Sequence, residues 1–384
     1  MRVRPAVLTL AAAALAAAVM PAQAAPAVPV GAYIVTTDGP AAALLPAVRA
    51  LGGRVGFVYD SALTGFSVRL PVPALRLLAA LPGVVAVEAD GVVRASATQT
   101  PTPSYGLDRI DQRALPLNST FTSTANGAGV TAYVVDTGIL LGHDDFGGRA
   151  VSGFDAVDGG SADDCNGHGT HVAGIAGGTR FGVAKGVRLV AVRVLNCNGS
   201  GPTSGVIAGL DFVAANHPAG APAVANLSLG GAASTALDAA VQGAIEDGVS
   251  VAVAAGNNGG LVGELLGQAD ACASSPARVP AALTVGATDA SDAKASYSNR
   301  GTCLDLFAPG SSILSAWWTG PSATKTLSGT SMAAPHVAGA AALLLQASPS
   351  ATPAQIAQRL VAAATPGVVG NPGTGSPNRL LFVG

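Results

Sequence analysis

Three residues that lie far apart in the sequence, Asp136, His168 and Ser331, have side chains that together could activate a hydroxyl group. A serine hydroxyl is a weak nucleophile at neutral pH, so an imidazole must accept its proton and return it to the leaving group. A carboxylate must in turn hold that imidazole in one tautomer and stabilise its cationic form. Each residue alone could cap a helix or pack in a core. Together, in the order acid, histidine, serine, they predict an acyl-transfer site with Ser331 as nucleophile, His168 as base and Asp136 as its orienting acid.

Two groups could stabilise the negative charge that develops on the attacked carbonyl oxygen. Asn257 follows an apolar run and opens a short turn that ends at Gly259. The backbone N–H of Ser331 would lie at a helix N-terminus, where the helix dipole favours negative charge. We therefore predict both as oxyanion donors, with an ordinary turn residue as the alternative interpretation of Asn257.

The elements that must position these residues alternate between strands and helices from about residue 97 onward. The predicted strands are Val130 to Asp136, Leu189 to Leu195, Ala223 to Ser228, Val249 to Ala255 and Ala282 to Gly286. The predicted helices are His168 to Gly177, Thr203 to His217, Ser234 to Asp247 and Ser331 to Ala347. Strands that are apolar on both faces suit a mainly parallel sheet covered by helices on each side. The predicted fold class is a three-layer α/β domain over 97–384, with its site at the carboxyl ends of the strands.

Two segments precede this domain. Residues 1–24 have arginines, then a run of thirteen residues from Val7 to Val19 that are apolar except Thr9, then Ala-Gln-Ala, which is the layout of a secretory signal. Residues 25–96 show a βαββαβ order, typical of a small ferredoxin-like α+β domain. That segment ends in a polar stretch of small residues that predicts an exposed linker and processing site.

Composition excludes several classes of function. Only 11% of the residues are charged and the formal net charge is -2, so the chain has no electrostatic footprint for nucleic acid. The apolar run from Val7 to Val19 is shorter than the roughly 20 residues that a membrane span needs, so we expect export without a membrane anchor. A hydrophobic fraction of 49% is ample for a large core.

Export favours disulfides for the four cysteines. Two local bridges, Cys165 with Cys197 and Cys272 with Cys303, are the simplest of the three possible pairings. A zinc site is the alternative, but no Cys-x-x-Cys spacing supports it.

The motifs resemble those of subtilases of the proteinase K type, and most of all those of the aqualysin branch, over about 97 to 384. The resemblance rests on Asp136-Thr137-Gly138, His168-Gly169-Thr170-His171, Ser228-Leu229-Gly230-Gly231, Ala255-Gly256-Asn257 and Gly329-Thr330-Ser331-Met332-Ala333. It implies a secreted serine endopeptidase of broad specificity that acts on polypeptides through an acyl-enzyme. The cysteine positions match the same branch.

The resemblance also implies partners and a maturation step. Ser228, Leu229 and Gly230 would form one wall of the substrate cleft, where an extended peptide adds as a strand. Segment 25–96 resembles an inhibitor-type propeptide, which would serve as intramolecular chaperone and inhibitor until a cut between Ser96 and Ala97. A monomer is the default expectation for such an enzyme.

Calcium is the ion that the resemblance implies, for stability and not for chemistry. Asp108, Asp111 and Gln112 match one calcium site of the family, and Asp305 with the carbonyls of Pro280 and Ala282 matches another. Both sets offer the hard oxygen ligands that calcium prefers. Surface carboxylates at turns are the alternative.

Other interpretations stay open. A binding homologue without activity would not need a competent residue at every catalytic position, and an esterase of the α/β-hydrolase type would need the final Gly of G-x-S-x-G, where this chain has Ala333. His143, His171, His217 and His336 are interpreted as structural, because no H-E-x-x-H motif indicates a zinc protease. The stretch 258–271 is longer than the resemblance leads us to expect.

Overall fold

A computed structural model describes residues 29–60, 63–90 and 97–384 of the chain. The chain divides into two compact units, Met1–Val93 and Arg94–Gly384. The predicted signal segment 1–24 and Ser96, on one side of the predicted processing site, lie outside the described residues.

The smaller unit is an antiparallel sheet with two short helices. Its elements are β1 (Val30–Thr37), α1 (Leu45–Ala50), β2 (Arg54–Tyr59), β3 (Gly65–Pro71), α2 (Leu75–Ala79) and β4 (Val84–Ala89). The spatial order β2-β3-β1-β4 is that of a ferredoxin-like sheet. Its core is formed by side chains such as Val35, Phe66 and Leu78, all fully buried. The first helical segment of the predicted βαββαβ order is divided into a 3-10 turn at Ala41–Ala43 and α1.

The larger unit contains the remaining helices and strands. From Ala97 to Glu246 they are β5 (Ala97–Gln99), α3 (Tyr105–Ile110), β6 (Phe121–Ser123), β7 (Thr131–Asp136), β8 (Ala150–Asp155), α4 (His168–Gly177), β9 (Arg188–Arg193), α5 (Thr203–Asn216), β10 (Ala223–Leu227), β11 (Gly231–Ala232) and α6 (Thr235–Glu246). They continue as β12 (Ser250–Ala254), α7 (Leu261–Leu265), β13 (Ser274–Ser275), β14 (Leu283–Thr288), β15 (Leu306–Pro309), β16 (Ile313–Ala316), β17 (Thr324–Leu327), α8 (Thr330–Ala347), α9 (Pro353–Ala363), β18 (Thr365–Pro366) and β19 (Arg379–Leu380).

A nine-stranded sheet in the order β18-β19-β15-β14-β12-β10-β7-β9-β8 forms the centre of this unit. Its strands pair in parallel except β18 with β19. On β7, Ala132 and Val134 face the core beneath α4 and α8, whereas Tyr133 and Val135 face the core beneath α5 and α6. Both faces are therefore buried, which is why the strand is a continuous apolar run. The predicted three-layer α/β fold class is confirmed.

Four strands of this sheet were absent from the predicted set: β8, β15, β18 and β19, of which the last two have only two residues each. β8 is an edge strand that includes Ser152 and Gly153 and is only half-buried, so its apolar pattern is weak. β15 has four residues and ends in Pro309, so it is too short for a periodicity signal.

Disulfides and one buried ion pair tie the loops of this unit together. Cys165 is bonded to Cys197 and Cys272 to Cys303. The guanidinium of Arg109, which is 0% exposed, binds the carboxylate of Asp292 through Nε at 2.6 Å and through Nη2 at 3.0 Å. This pair joins α3 to the loop after β14. No helix in the described ranges has both the length and the apolar character needed to cross a membrane.

Replacing Asp292 with Ala should destabilise the protein strongly, since Arg109 would stay buried without its bidentate partner. We expect a loss of about 3–5 kcal/mol in the free energy of unfolding. The matched control is Asp238→Ala, which breaks the partly exposed pair with Arg278 and should cost about 1 kcal/mol or less. Urea unfolding of both variants, followed by circular dichroism in a Ser331→Ala background, measures the difference; equal losses would contradict this prediction.

Candidate active site

The carboxylate of Asp136 is buried at the carboxyl end of β7. Its side chain is 0% exposed, and its Oδ1 accepts hydrogen bonds from the Thr137 N–H at 2.7 Å and from Nδ1 of His168 at 2.7 Å. Because the carboxylate oxygen can only accept, Nδ1 of His168 carries the proton, and in the neutral ring Nε2 carries none. The His168 side chain is 26% exposed, so its ring joins the buried acid to the solvent-accessible site.

Asp164 holds the turn that leads into His168, a role that the sequence analysis did not assign. Its Oδ1 accepts from the N–H groups of Asn166 and Gly167, both at 2.9 Å, and its Oδ2 accepts from the N–H and hydroxyl of Thr170. A carboxylate that binds the first N–H groups of a helix acts as its cap. The signal was present in the sequence as an Asp four residues before the helix start.

Gly169 allows α4 to approach Asp136 closely. A Cβ on Gly169 would collide with the carbonyl oxygen of Gly138 and lie 3.2 Å from the Asp136 side chain. Any larger residue there would push the helix, and with it the His168 ring, away from the carboxylate.

Ser331 lies in the first turn of α8 and lines the same cleft as His168. The cleft has a volume of about 550 Å³, and its lining includes Ser228, Leu229, Gly230 and Asn257. Within the described chain, the Oγ of Ser331 donates to the carbonyl of Ser228 at 3.2 Å and not to His168. Hydrogen bonds between nucleophile and base are often long in enzymes without substrate, so this geometry is compatible with the predicted pair.

The amide of Asn257 has a fixed orientation. Its Oδ1 accepts from the N–H of Thr330 at 2.9 Å and from the Thr330 hydroxyl at 3.0 Å, so its Nδ2 is the free donor. A Cβ built on Gly329 would lie 3.6 Å from the Ser331 nitrogen and 3.7 Å from Nδ2 of Asn257. Both predicted oxyanion donors therefore border one small space. Thr330, which orients one of them, was not predicted as a functional residue.

The local charges favour the protonated form of His168. Burial of the ring disfavours the cation, but the carboxylates of Asp136 and Asp164 outweigh it, so the pKa of His168 is raised above its ordinary value of 6.5. Burial lowers the pKa of His171 and that of His336 to about 4. His171 donates from Nε2 to the carbonyls of Ile313 and Lys325, and His336 contacts the Met332 carbonyl through Nδ1. These contacts match the structural interpretation of both rings.

The first expected calcium set has acceptor atoms without partners. Asp108 accepts from the N–H groups of Asn118 and Ser119, whereas Oδ1 of Asp111 and Oε1 of Gln112 are buried and unpaired among the described residues. Burial raises the pKa of Asp111 above its ordinary value. Buried oxygen acceptors of this kind fit a hard cation.

The second expected set surrounds Asp305. Its carboxylate accepts from the Thr284 N–H at 2.8 Å, and burial raises its pKa to about 6. Ala282 is 3% exposed and lies two residues before Thr284 in the sequence. No three His, Cys, Asp or Glu side chains of the described ranges gather as metal ligands, so either set would depend on carbonyl and amide oxygens.

The unexpectedly long stretch 258–271 begins at the cleft and contains α7. Asn258, which lines the cleft, donates from its N–H to the side chain of Asn299. Further along, Ala271 donates to the carbonyl of Arg300, and the Arg300 guanidinium pairs with Glu264. The disulfide at Cys272 closes the base of this loop.

Comparison with known proteins identifies similar sequences and structures. The profile of the Subtilase family matches residues 127–380. An extracellular serine proteinase of Thermus sp. (strain Rt41A) is 57% identical over 86% of this chain and 78% of its own length. Alkaline serine exoprotease A of Vibrio alginolyticus is 52% identical over 86% of this chain, which spans 60% of that protein. The crystal structure of a cold-adapted subtilisin-like serine proteinase superposes with a TM-score of 0.69 at 54% identity, covering 74% of this chain and 99% of that one.

Asp136→Asn should lower the pKa of His168 from above 6.5 to below it, since burial of the ring is then opposed chiefly by Asp164. The NMR titration of the ring protons in a Ser331→Ala background measures this change. His336, whose pKa is about 4, is the internal control and should not move. A His168 pKa that is the same in both proteins would mean that the 2.7 Å contact does not control its charge.

Proposed function

The chain belongs to the subtilase family and is a serine endopeptidase, and from this premise we propose that it is a secreted, self-processed enzyme of broad specificity whose catalytic triad is Asp136, His168 and Ser331. The observation that carries the proposal is the 2.7 Å hydrogen bond from His168 to the buried Asp136, in the same cleft as Ser331. An inactive homologue would have no need of this arrangement.

In the proposed mechanism, Nε2 of His168 accepts the proton of Ser331 as Oγ attacks the carbonyl carbon of the scissile peptide. The new Oγ–C bond converts the carbonyl oxygen to an oxyanion, which accepts from the Ser331 N–H and from Nδ2 of Asn257. His168 then protonates the departing amine, leaving an acyl-enzyme that water hydrolyses by the same proton transfers. Throughout, Asp136 accepts the hydrogen bond from the Nδ1–H of His168, which fixes the tautomer of the ring and stabilises the imidazolium.

Broad specificity follows from the proposed wall of the cleft. Ser228, Leu229 and Gly230 continue from the end of β10 and line the cleft beside Ser331. A peptide that adds there as a strand would bind mainly through main-chain hydrogen bonds, which tolerate many side chains.

Secretion and self-processing are parts of the same proposal. The signal-like sequence 1–24 and the extracellular serine proteinase among the relatives support export. The unit that ends at Val93 supports a separate propeptide, 25–96, with a cut between Ser96 and Ala97 that releases the peptidase domain 97–384. The propeptide would assist folding and inhibit the enzyme until it is degraded.

Replacing Ser331 with Ala should abolish casein hydrolysis and leave the precursor uncut, because the variant lacks the attacking oxygen. The matched control is Ser250→Ala, a buried serine on β12 outside the cleft, which should remain active and mature. Casein assays, product size on a denaturing gel and N-terminal sequencing measure both effects.

Equal casein hydrolysis by wild type and Ser331→Ala would refute the triad. An active wild type that hydrolyses esters but not casein would favour the esterase alternative. A mature N-terminus far from Ala97 would refute the proposed processing site.

We further propose that calcium stabilises the folded enzyme without entering the reaction. Asp108, Asp111 and Gln112 would hold one ion, and Asp305 with the carbonyls of Pro280 and Ala282 a second. The unpaired acceptors of Asp111 and Gln112 and the buried carboxylate of Asp305 support this assignment. A bound cation would offset the cost of burying these charges.

Asp305→Asn should stabilise the protein in chelator at pH 8 but make it less stable than wild type in calcium. The raised pKa of about 6 means that the folded state binds the Asp305 proton more tightly than the unfolded state. Without metal, this carboxyl therefore lowers the free energy of unfolding as pH rises from about 4 to 6, by up to roughly 3 kcal/mol. Asn carries no charge and avoids this loss.

Melting temperatures in a Ser331→Ala background, at pH 5 and pH 8 with EDTA or calcium, measure the effect. The matched control is Asp211→Asn, which removes an exposed carboxylate on α5 and whose melting temperature should follow that of wild type in every condition. A wild type whose melting temperature does not change with chelator would refute the calcium proposal.

A further inference from the structure

The helix that carries Ser331 contains a proline at the position whose N–H would otherwise donate to the Ser331 carbonyl. In an α-helix the N–H of residue i+4 donates to the carbonyl of residue i. Four residues after Ser331 in α8 stands Pro335, which has no N–H. The Ser331 carbonyl therefore cannot receive its helical hydrogen bond and needs another donor.

The donor is supplied by Ser228, which follows β10, and Ser228 is in turn held by Asn226 on that strand. The Oγ of Ser228 donates to the Ser331 carbonyl at 2.8 Å, and Nδ2 of Asn226 donates to the Oγ of Ser228 at 2.8 Å. The direction of this relay is fixed, because a carbonyl can only accept. The Ser228 hydroxyl must then donate its one hydrogen to Ser331 and accept from the Asn226 amide.

The position of Asn226 is otherwise unsuited to an amide. Every second side chain of this segment lies on the same face, which places Asn226 on the face of Val224 and Ser228. Val224 belongs to the apolar core that includes Met332 and Ala333 of α8. Asn226 is 2% exposed and its Oδ1 has no partner among the described residues. Burying an amide in this way costs stability, which indicates that its one hydrogen bond serves another purpose.

We propose that Asn226 and Ser228 are positioning residues for the nucleophile, and that their relay replaces the hydrogen bond that Pro335 cannot donate. The inference rests on the proposed role of Ser331. By holding the Ser331 carbonyl, the relay fixes the orientation of this residue, so that Oγ and the backbone N–H keep their places beside His168 and Asn257. Neither side chain needs to contact the reacting atoms.

The test is a double-mutant cycle between the relay and the proline. Ser228→Ala should lower kcat about tenfold per active site at unchanged KM, as expected when a hydrogen bond worth about 1.4 kcal/mol to the transition state is lost. In a Pro335→Ala background, an N–H is again present at position 335 and can donate to the Ser331 carbonyl. There, the same Ser228→Ala change should lower kcat only about twofold or less.

Active-site titration with a small phosphonylating reagent separates this effect from misfolding, because kcat is then counted only for competent enzyme. Asn226→Ala should behave like Ser228→Ala but more weakly, since the Ser228 hydroxyl remains. Ser250→Ala is the matched control and should show equal kcat in both backgrounds. Circular dichroism spectra of all variants establish that each is folded.

Each outcome decides one question. A Ser228→Ala variant with wild-type kcat per titrated site, or with the same loss in both backgrounds, would overturn the relay. A wild-type enzyme that is not labelled at Ser331 would instead refute the proposed nucleophile, on which the relay depends. Loss of kcat in one background and its rescue in the other would establish the positioning role.

Discussion

The buried carboxylate at the carboxyl end of β7 constrains the structure around it. Asp136 is fully buried, and among the described residues its Oδ1 is bound by one backbone N–H and one imidazole, while Oδ2 is unpaired. Burying such a group is costly, and only a tightly packed surrounding can maintain it. The close approach of Gly169 and the cap that Asp164 forms on α4 are consequences of that requirement.

The parallel sheet brings the other groups to this carboxylate. β7, β10 and β12 are adjacent, and their carboxyl ends lead to Asp136, Ser228 and Asn257 respectively. The chain reverses its direction of travel across the sheet between β7 and β10, where crevices form in folds of this class. Residues separated by more than a hundred positions in sequence therefore meet at one edge.

Sequence patterns predicted the strands well where burial was continuous over five or six residues, and poorly where a strand was half-exposed or very short. β7, β10 and β12 are buried on both faces and were predicted within one or two residues, whereas the edge strand β8 and the short β15 were not predicted. The sequence was sufficient to propose Ser331, His168 and Asp136 as a site, because their residue types are chemically specific. Asp164, Thr330 and Asn226 could not be proposed in this way, since polar residues of these types are common and their roles depend on hydrogen bonds made only in the fold.

Those hydrogen bonds give the site its rigidity. Two strand ends hold the beginning of α8: Asn257, after β12, binds Thr330, and Ser228, after β10, binds the carbonyl of Ser331. Both contacts act on the backbone on either side of the N–H that faces the cleft. A donor held in this way needs no reorganisation when charge develops on a substrate, which is the physical basis of electrostatic stabilisation in enzymes. The interior of a helix is held by the helix's own hydrogen bonds, but the N–H groups of its first turn have no partner within the helix. In this protein, residues that follow strands of the sheet hold the first turn of α8.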